Sequence, residues 1–172
     1  MPNRLDSLIR DIPDFPKPGI LFKDITPLLA DPEGLALAVE LMASPFRNEK
    51  VDLVIGAESR GFIFGTAIAL SLSCGFIPVR KPGKLPSETS SVEYSLEYGL
   101  DALEIHRDSI MPNQRVLLVD DLLATGGTMS ACVELVGQLQ ANIAGAAFLI
   151  ELTSLRGRDR LAGVDIHSVL TY

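Results

Sequence analysis

Four apolar residues, Val116-Leu117-Leu118-Val119, run into Asp120-Asp121 and then into Leu122-Leu123-Ala124-Thr125-Gly126-Gly127-Thr128. An apolar run this short, with no polar alternation, has the signature of a strand buried on both faces. The Thr-Gly-Gly-Thr that follows reads as a tight turn opening a helix, expected from Thr125 to Leu139. Such a corner belongs to folds in which strands and helices alternate along the chain. It also constrains chemistry. A Gly-rich turn at a helix start aims free backbone N–H groups at one point, and the helix dipole favours an anion there, most simply a phosphate. The two carboxylates cannot hold that phosphate, so they serve another part of the ligand, and either a ribose diol or a magnesium ion fits. A phosphate at one end and a diol at the other describe a phosphorylated sugar.

The alternation extends through the chain. Val51 to Ile55 reads as a strand and Gly61 to Ser73 as a helix. Phe76 to Val79, Val116 to Val119, Ala144 to Leu152 and Ile166 to Leu170 read as further strands. The 172 residues are therefore expected to form one α/β domain, a mostly parallel, twisted sheet flanked by helices. Ligands in such sheets sit beyond the carboxyl ends of the strands. That rule singles out Gly56 to Arg60, Arg80 to Lys84, Asp120 to Thr128 and Glu151 to Ser154. Ahead of the sheet, Leu5, Leu8 and Ile9 have helical spacing, and the prolines between Asp11 and Pro18 favour extended structure. Asp31-Pro32-Glu33 reads as a helix start with Asp at the cap, running to about Ala43. The stretch from Lys81 to about Glu93, with Pro82, Gly83, Pro86 and a run of Ser and Thr, fits no element. Beyond it, Tyr94 to Tyr98 and Leu103 to Ile105 look like hairpin strands, with Gly99 near the turn. The expectation is a small N-terminal hood over residues 1–30 and a flexible β-hairpin flap over residues 81–105 bearing Lys81 and Lys84.

A net charge of −7, from 22 acidic and 15 basic residues, argues against wrapping nucleic acid or lying on an anionic membrane. A site for a polyanion must then be a local basic cluster on an acidic body. No apolar run reaches the roughly 20 residues of a membrane span, and Met1-Pro2-Asn3-Arg4 lacks the apolar stretch of a signal peptide. Cys74 and Cys132 are isolated, with no metal-like spacing. They read as small buried hydrophobes of a reducing compartment, which points to the cytoplasm.

Other groups of residues fit the same ligand. Ile55 to Gly61 is a second strand, small-residue turn and helix entrance, now carrying Arg60, whose guanidinium suits a phosphate; the alternative is a helix-capping corner with Ser59 as cap. Arg80-Lys81-Pro82-Gly83-Lys84 concentrates positive charge at a strand end. Ile20-Leu21-Phe22-Lys23 is either a piece of core or an apolar wall with an aromatic face for a flat heterocycle. Glu97 on a closing flap would handle a proton once water is excluded, although spacing alone does not show it. His106 and His167 lack a carboxylate–nucleophile context and read as structural. Ser59 and Ser154 lack a triad setting.

Two anion-binding turns, an acidic pair and a basic flap describe a ribose with phosphates at two places, which looks like phosphoribosyl pyrophosphate. Val116 to Thr128 resembles the thirteen-residue signature of type I phosphoribosyltransferases. Phe15 to Leu29, Ala57 to Phe64, Arg80 to Pro86 followed by Tyr94 to Gly99, and Glu151 to Gly157 resemble the adenine phosphoribosyltransferases. They correspond, in that order, to the amino-terminal segment, pyrophosphate loop, flexible loop and carboxyl-terminal stretch of that family. The resemblance implies the type I phosphoribosyltransferase fold and transfer of the 5-phosphoribosyl group to adenine, giving AMP and pyrophosphate in purine salvage.

The resemblance also implies residue roles. Asp120 and Asp121 would bind the ribose hydroxyls, and Ala124, Thr125, Gly126, Gly127 and Thr128 the 5′-phosphate. Ala57, Glu58, Ser59 and Arg60 would hold pyrophosphate through a loop with a cis peptide, and Arg80, Lys81 and Lys84 would neutralise it as it leaves. Leu21, Phe22 and Lys23 would form the adenine pocket, mostly through backbone groups and stacking, with Leu152 opposite. Glu97 would meet the base near N7, with Tyr98 beside it, so Glu97 and Arg60 are the expected catalytic residues. Magnesium would be held by substrate and water with no direct protein ligand, and the protein would be a homodimer. No role is carried onto Ser87 to Val92, the least regular stretch. The rivals are a phosphoribosyltransferase for another base such as hypoxanthine, a ligand-sensing regulator on the same fold, and a phosphate-binding interaction protein. The amino-terminal motif argues against the first. The lack of spare length or a basic helix argues against the second, and the flap would be superfluous in the third.

Overall fold

Strands that are apolar on both faces must be covered on both faces, and the computed structural model, which describes residues 2–96 and 99–172, shows how this chain does so. The chain opens with a short helix α1 (Pro2–Asp6) and a two-stranded antiparallel ladder, β1 (Arg10–Pro13) on β2 (Leu21–Asp24). Helices α2 (Thr26–Ala30) and α3 (Pro32–Ala43) follow. Then come β3 (Leu53–Ala57), α4 (Gly61–Ser71) and β4 (Gly75–Val79). An antiparallel hairpin, β5 (Thr89–Leu96) with β6 (Gly99–His106), leads into β7 (Arg115–Leu123), α5 (Gly127–Gln138), β8 (Asn142–Glu151) and β9 (Ile166–Thr171).

Five strands form the central sheet in the order β4-β3-β7-β8-β9, every neighbouring pair parallel. Side chains alternate along β7, so Leu117 and Val119 join one core while Val116 and Leu118 join the other. The first core packs α3 and α4 on the sheet through Met42, Phe64 and Ile68; the second packs α5 and the hairpin through Leu135, Val136 and Leu103. After β3 the chain goes outward to β4, then returns past β3 to lay down β7 on its other side. The strand order therefore reverses between β3 and β7, where open α/β sheets bind ligands.

Several boundaries differ from the sequence expectation. β3 is shifted two residues toward Ala57. β7 does not stop before the acidic pair but runs through it to Leu123, because it keeps pairing with β8 as far as Leu123–Glu151. Asp120 and Asp121 thus lie within β7, which ends two residues beyond them. The Ser/Thr run expected to be irregular is strand from Thr89 onward, since β6 supplies a partner for each of its residues. Arg10–Pro13, expected only as loosely extended, is the paired strand β1, closed by an Arg10–Asp24 ion pair at 2.8 Å. The first helix ends at Asp6, though Leu5, Leu8 and Ile9 do share one core.

Candidate active site

Two turns meet at the reversal. β3 passes through Glu58, Ser59 and Arg60 into α4, and the Glu58–Ser59 peptide bond is cis. β7 passes through Ala124, Thr125 and Gly126 into α5. Their approach depends on Gly61, where a Cβ would stand 3.1 Å from both Asp120 Oδ1 and the Val119 carbonyl oxygen. Gly126 has φ +83°, in the left-handed region, and turns the chain so that α5 begins at Gly127. No side chain caps α5 or α4, so Ser59 does not serve as a side-chain cap; the Phe62 and Ile63 amides of α4 donate to the Ser59 and Arg60 carbonyls, whereas the first-turn N–H groups of α5 are left for a ligand. Between the turns lies a cavity of about 260 Å³ lined by Glu58, Ser59, Arg60 and residues 120–129. Of the expected phosphoribosyl pyrophosphate residues, Ala57 alone among these two turns is absent from the lining; it is buried at the end of β3.

The charges in this cavity are tied together. Arg60 Nε donates to Asp121 Oδ2 at 2.5 Å, and the Asp121 amide donates to Asp120 Oδ1 at 2.9 Å. Burial pushes the Asp120 carboxyl well above the ordinary carboxylate range, and the neighbouring Asp121 pushes it further, against a weaker pull from Arg60. Burial alone would lower Arg60, but the Asp121 carboxylate outweighs it and raises the guanidinium further. Of the two carboxyls, Asp121 is the one bonded to a basic side chain, and Asp120 accepts from the Asp121 amide.

The basic cluster stands one layer behind. None of Arg80, Lys81 and Lys84 lines the cavity; they converge on Glu58. Lys84 pairs with it, the Lys81 amide donates to it at 2.7 Å, and Arg80 Nε stands 3.4 Å away. Burial would raise the Glu58 carboxyl, yet Lys84, the Lys81 amide and Arg80 together hold it below the ordinary range. The Lys81 ammonium is paired with Asp101 and donates to the Tyr94 hydroxyl at 3.2 Å.

A second cavity, about 850 Å³, joins the first at Thr125, Gly127 and Thr128 and is richer in apolar surface. Leu21, Lys23 and Leu152 line it, together with Gly19, Ile20, Leu155 and Tyr172. Phe22 does not line it. Alternation along β2 sends Leu21 and Lys23 to the cavity and turns Phe22 away, its ring edge-on to Phe15 at 5.1 Å and 5.8 Å from the Arg60 guanidinium. Lys23 Nζ is held by Asp11 at 2.7 Å and sits 3.7 Å above the Tyr172 ring. Glu97 and Tyr98 lie outside the described residues. Sequence reading missed Tyr94, Ser95, Arg160 and Tyr172 as cavity residues. Tyr172 has no local signal, and Arg160 sits in a charge-rich run that reads as solvated.

Residues 24–166 match the phosphoribosyl transferase domain family. Over 95% of its length the chain is 60% identical to the adenine phosphoribosyltransferase of Rhodopirellula baltica, of which it covers 80%. The chain belongs to the adenine phosphoribosyltransferase family. Solved adenine phosphoribosyltransferases have the same fold. That of Thermoanaerobacter pseudethanolicus superposes with a TM-score of 0.97 at 50% identity, over 100% of both chains. The Saccharomyces cerevisiae structure, holding adenine and an imino-altritol bisphosphate, superposes at 0.93 with 39% identity, over 98% of both chains.

Proposed function

We propose that the protein transfers the 5-phosphoribosyl group of phosphoribosyl pyrophosphate to adenine, releasing pyrophosphate and forming AMP. The observation that carries this reading is the junction of the two cavities at the uncapped start of α5. A polar chamber with free amides and carboxyls suits a phosphorylated ribose, and the apolar chamber beside it suits a flat base. The relative from Saccharomyces cerevisiae holds a sugar-like bisphosphate and adenine together.

The roles follow from charge. Residues 124–128 bind the 5′-phosphate through backbone amides and the Thr125 and Thr128 hydroxyls. Asp120 and Asp121 take the ribose hydroxyls, with Arg60 orienting Asp121. As the bond from the anomeric carbon to pyrophosphate lengthens, the ribose gains oxocarbenium character and the leaving group gains negative charge. Arg60, with Arg80, Lys81 and Lys84 released from Glu58 and Asp101, stabilises that anion, and N9 of adenine attacks from the opposite face. Leu21, Lys23 and Leu152 position the base. Glu97, on the flap between β5 and β6, takes up the proton near N7, and Tyr98 closes beside it. Residues 1–30 act as the hood over the base and residues 81–105 as the flap.

Magnesium suits this donor set. Among the described residues no three His, Cys, Asp or Glu side chains come together to cage a metal. Two carboxyls, one already bonded to Arg60, fit an ion that keeps water and substrate oxygens as its ligands. Bound with the diphosphate, magnesium supplies neutralising charge on the leaving group. The protein acts in purine salvage as a homodimer in the cytoplasm, a reducing compartment that its two unpaired cysteines suit.

The deciding assay supplies purified protein with magnesium, phosphoribosyl pyrophosphate and labelled adenine, hypoxanthine or guanine. AMP from adenine, with no nucleotide from the other two bases, is expected. Nucleotide from hypoxanthine instead would move the assignment to another base, and none from any base would leave a ligand sensor.

A further inference from the structure

The phosphate turn from Asp120 to Thr128 contains no basic residue, and Arg60, across the first cavity, is bonded to Asp121. Arg160 is a cation that neither the sequence motifs nor the roles above employ. It lines the larger cavity together with Thr125, Gly127 and Thr128, the residues shared with the smaller one. Its Nη1 stands 3.4 Å from the position a Cβ on Gly127 would take, beside the first residue of α5. Two other arginines of the same segment are paired, Arg156 with Asp159 at 2.7 Å and Arg158 with Glu151 at 2.6 and 2.8 Å. Arg160 forms no ion pair among the described residues.

Its placement is built by close packing. Arg160 belongs to a single turn of 3-10 helix, Gly157–Leu161, pressed against the phosphate turn backbone to backbone. A Cβ on Gly157 would stand 2.4 Å from the Ala124 carbonyl oxygen, and one on Gly126 would stand 2.5 Å from the Gly157 carbonyl oxygen. Arg158 fixes the turn from one side by its two-pronged bond to the buried Glu151, which also accepts from Ser168 Oγ at 2.6 Å. Leu161 fixes it from the other by entering the core. A backbone held at these points delivers its unpaired guanidinium beside Gly127, into the cavity that Thr125 and Thr128 also line.

We propose that Arg160 is a further substrate-binding residue, supplying the positive charge for the terminal phosphate that the Thr125–Thr128 turn holds through neutral amides. The inference rests on the phosphoribosyl-transfer reading above. A phosphate dianion bound by neutral groups alone, on a chain of net charge −7, would remain uncompensated, and a guanidinium keeps its charge at any working pH. The contribution belongs to binding rather than to the bond-breaking step, because the terminal phosphate keeps its charge throughout the reaction.

The test compares wild type, Arg160→Gln, Arg160→Lys and Arg156→Gln. The last removes a charge from the same segment at a residue outside both cavities. Calorimetry with ribose 5-phosphate gives phosphate affinity, and steady-state kinetics give KM for phosphoribosyl pyrophosphate and adenine. Arg160→Gln is expected to weaken ribose 5-phosphate and raise KM for phosphoribosyl pyrophosphate about tenfold or more. KM for adenine and kcat should hold near wild type, Arg160→Lys should recover part of the loss, and Arg156→Gln should match wild type. Equal ribose 5-phosphate affinity in wild type and Arg160→Gln overturns the proposal alone, as does an equal loss in Arg156→Gln. Wild type that fails to bind ribose 5-phosphate overturns the functional reading itself and takes this inference with it.

Discussion

Asp121 and Arg60 hold each other at 2.5 Å across the two turns of the site, and that bond governs what each contributes. Arg60 is about half exposed toward the cavity while Asp121 is buried. Asp121 thus fixes the stem of a guanidinium that, in the proposed reaction, faces the departing anion. Replacing Arg60 with Ala should cost about 2–4 kcal/mol of transition-state stabilisation, by analogy with removing one anion-stabilising donor. The measurement is kcat/KM for phosphoribosyl pyrophosphate, with Arg60→Lys as companion, and an unchanged value would remove Arg60 from the mechanism. Asp120 presents the opposite balance. Its folded carboxyl is raised far above its ordinary, unfolded range by burial and by Asp121. A raised carboxyl favours the folded state fully only below its ordinary pKa, and that contribution is lost as pH rises toward the folded value. Neutral pH lies above that ordinary range, so Asp120 is there a burden on stability. Asp120→Asn should raise Tm at neutral pH, by about 2–4 °C for each kcal/mol relieved, lose the gain in acid, and bind phosphoribosyl pyrophosphate more weakly. Thermal unfolding across pH checks this; a Tm gain that persists unchanged into acid would contradict it.

The elements differ in how plainly their sequences announced them. α3 starts where Asp31-Pro32-Glu33 indicates, with Asp31 Oδ2 accepting from the Gly34 amide at 2.7 Å. Asp31→Ala should destabilise the protein by about 1 kcal/mol with kcat unchanged, and chemical denaturation alongside the activity assay measures both. The five strands of the sheet and the helices between them were legible because each is a run of one periodicity bounded by turn residues. The two cavity-forming turns were legible because small residues at strand ends have few other uses. What escaped was set by pairing rather than by composition. Thr89 to Ser91 carry no apolar signal, and they are strand because β6 offers them partners. β1 is strand because β2 returns beside it. Phe22 looked like the natural wall of a base pocket, yet strand alternation gives that position to Leu21 and Lys23. Arg160, in the 3-10 segment Gly157–Leu161, and Tyr172, just past β9, reach the cavity from far along the chain, and no local pattern marks such an arrival.

At the scale of the whole molecule, α4 is the element the single chain leaves unfinished. Its eleven residues, Gly61–Ser71, are apolar around nearly the full circumference, and a helix of that kind is covered on all sides. One side is covered, since Phe64 and Ile68 are fully buried against the sheet. The other is not, with Ile63 40% and Leu70 81% exposed, seven residues apart and so on one face. α4 also begins at the turn that carries Arg60, so whatever covers its outer face steadies Arg60 and its neighbours. A second copy of the chain is the covering surface that the proposed homodimer supplies. Leu70→Asp puts a charge where that reading requires an apolar contact, whereas in a monomer so exposed a position would accept it with a change within about 0.5 kcal/mol. Sedimentation velocity should show wild type as a dimer and Leu70→Asp shifted toward monomer, with unchanged far-ultraviolet circular dichroism. If the two proteins sediment alike as monomers, α4 is bare in solution and the homodimer is withdrawn. If both remain dimers, the copies meet on another face and the outer side of α4 takes no part in it.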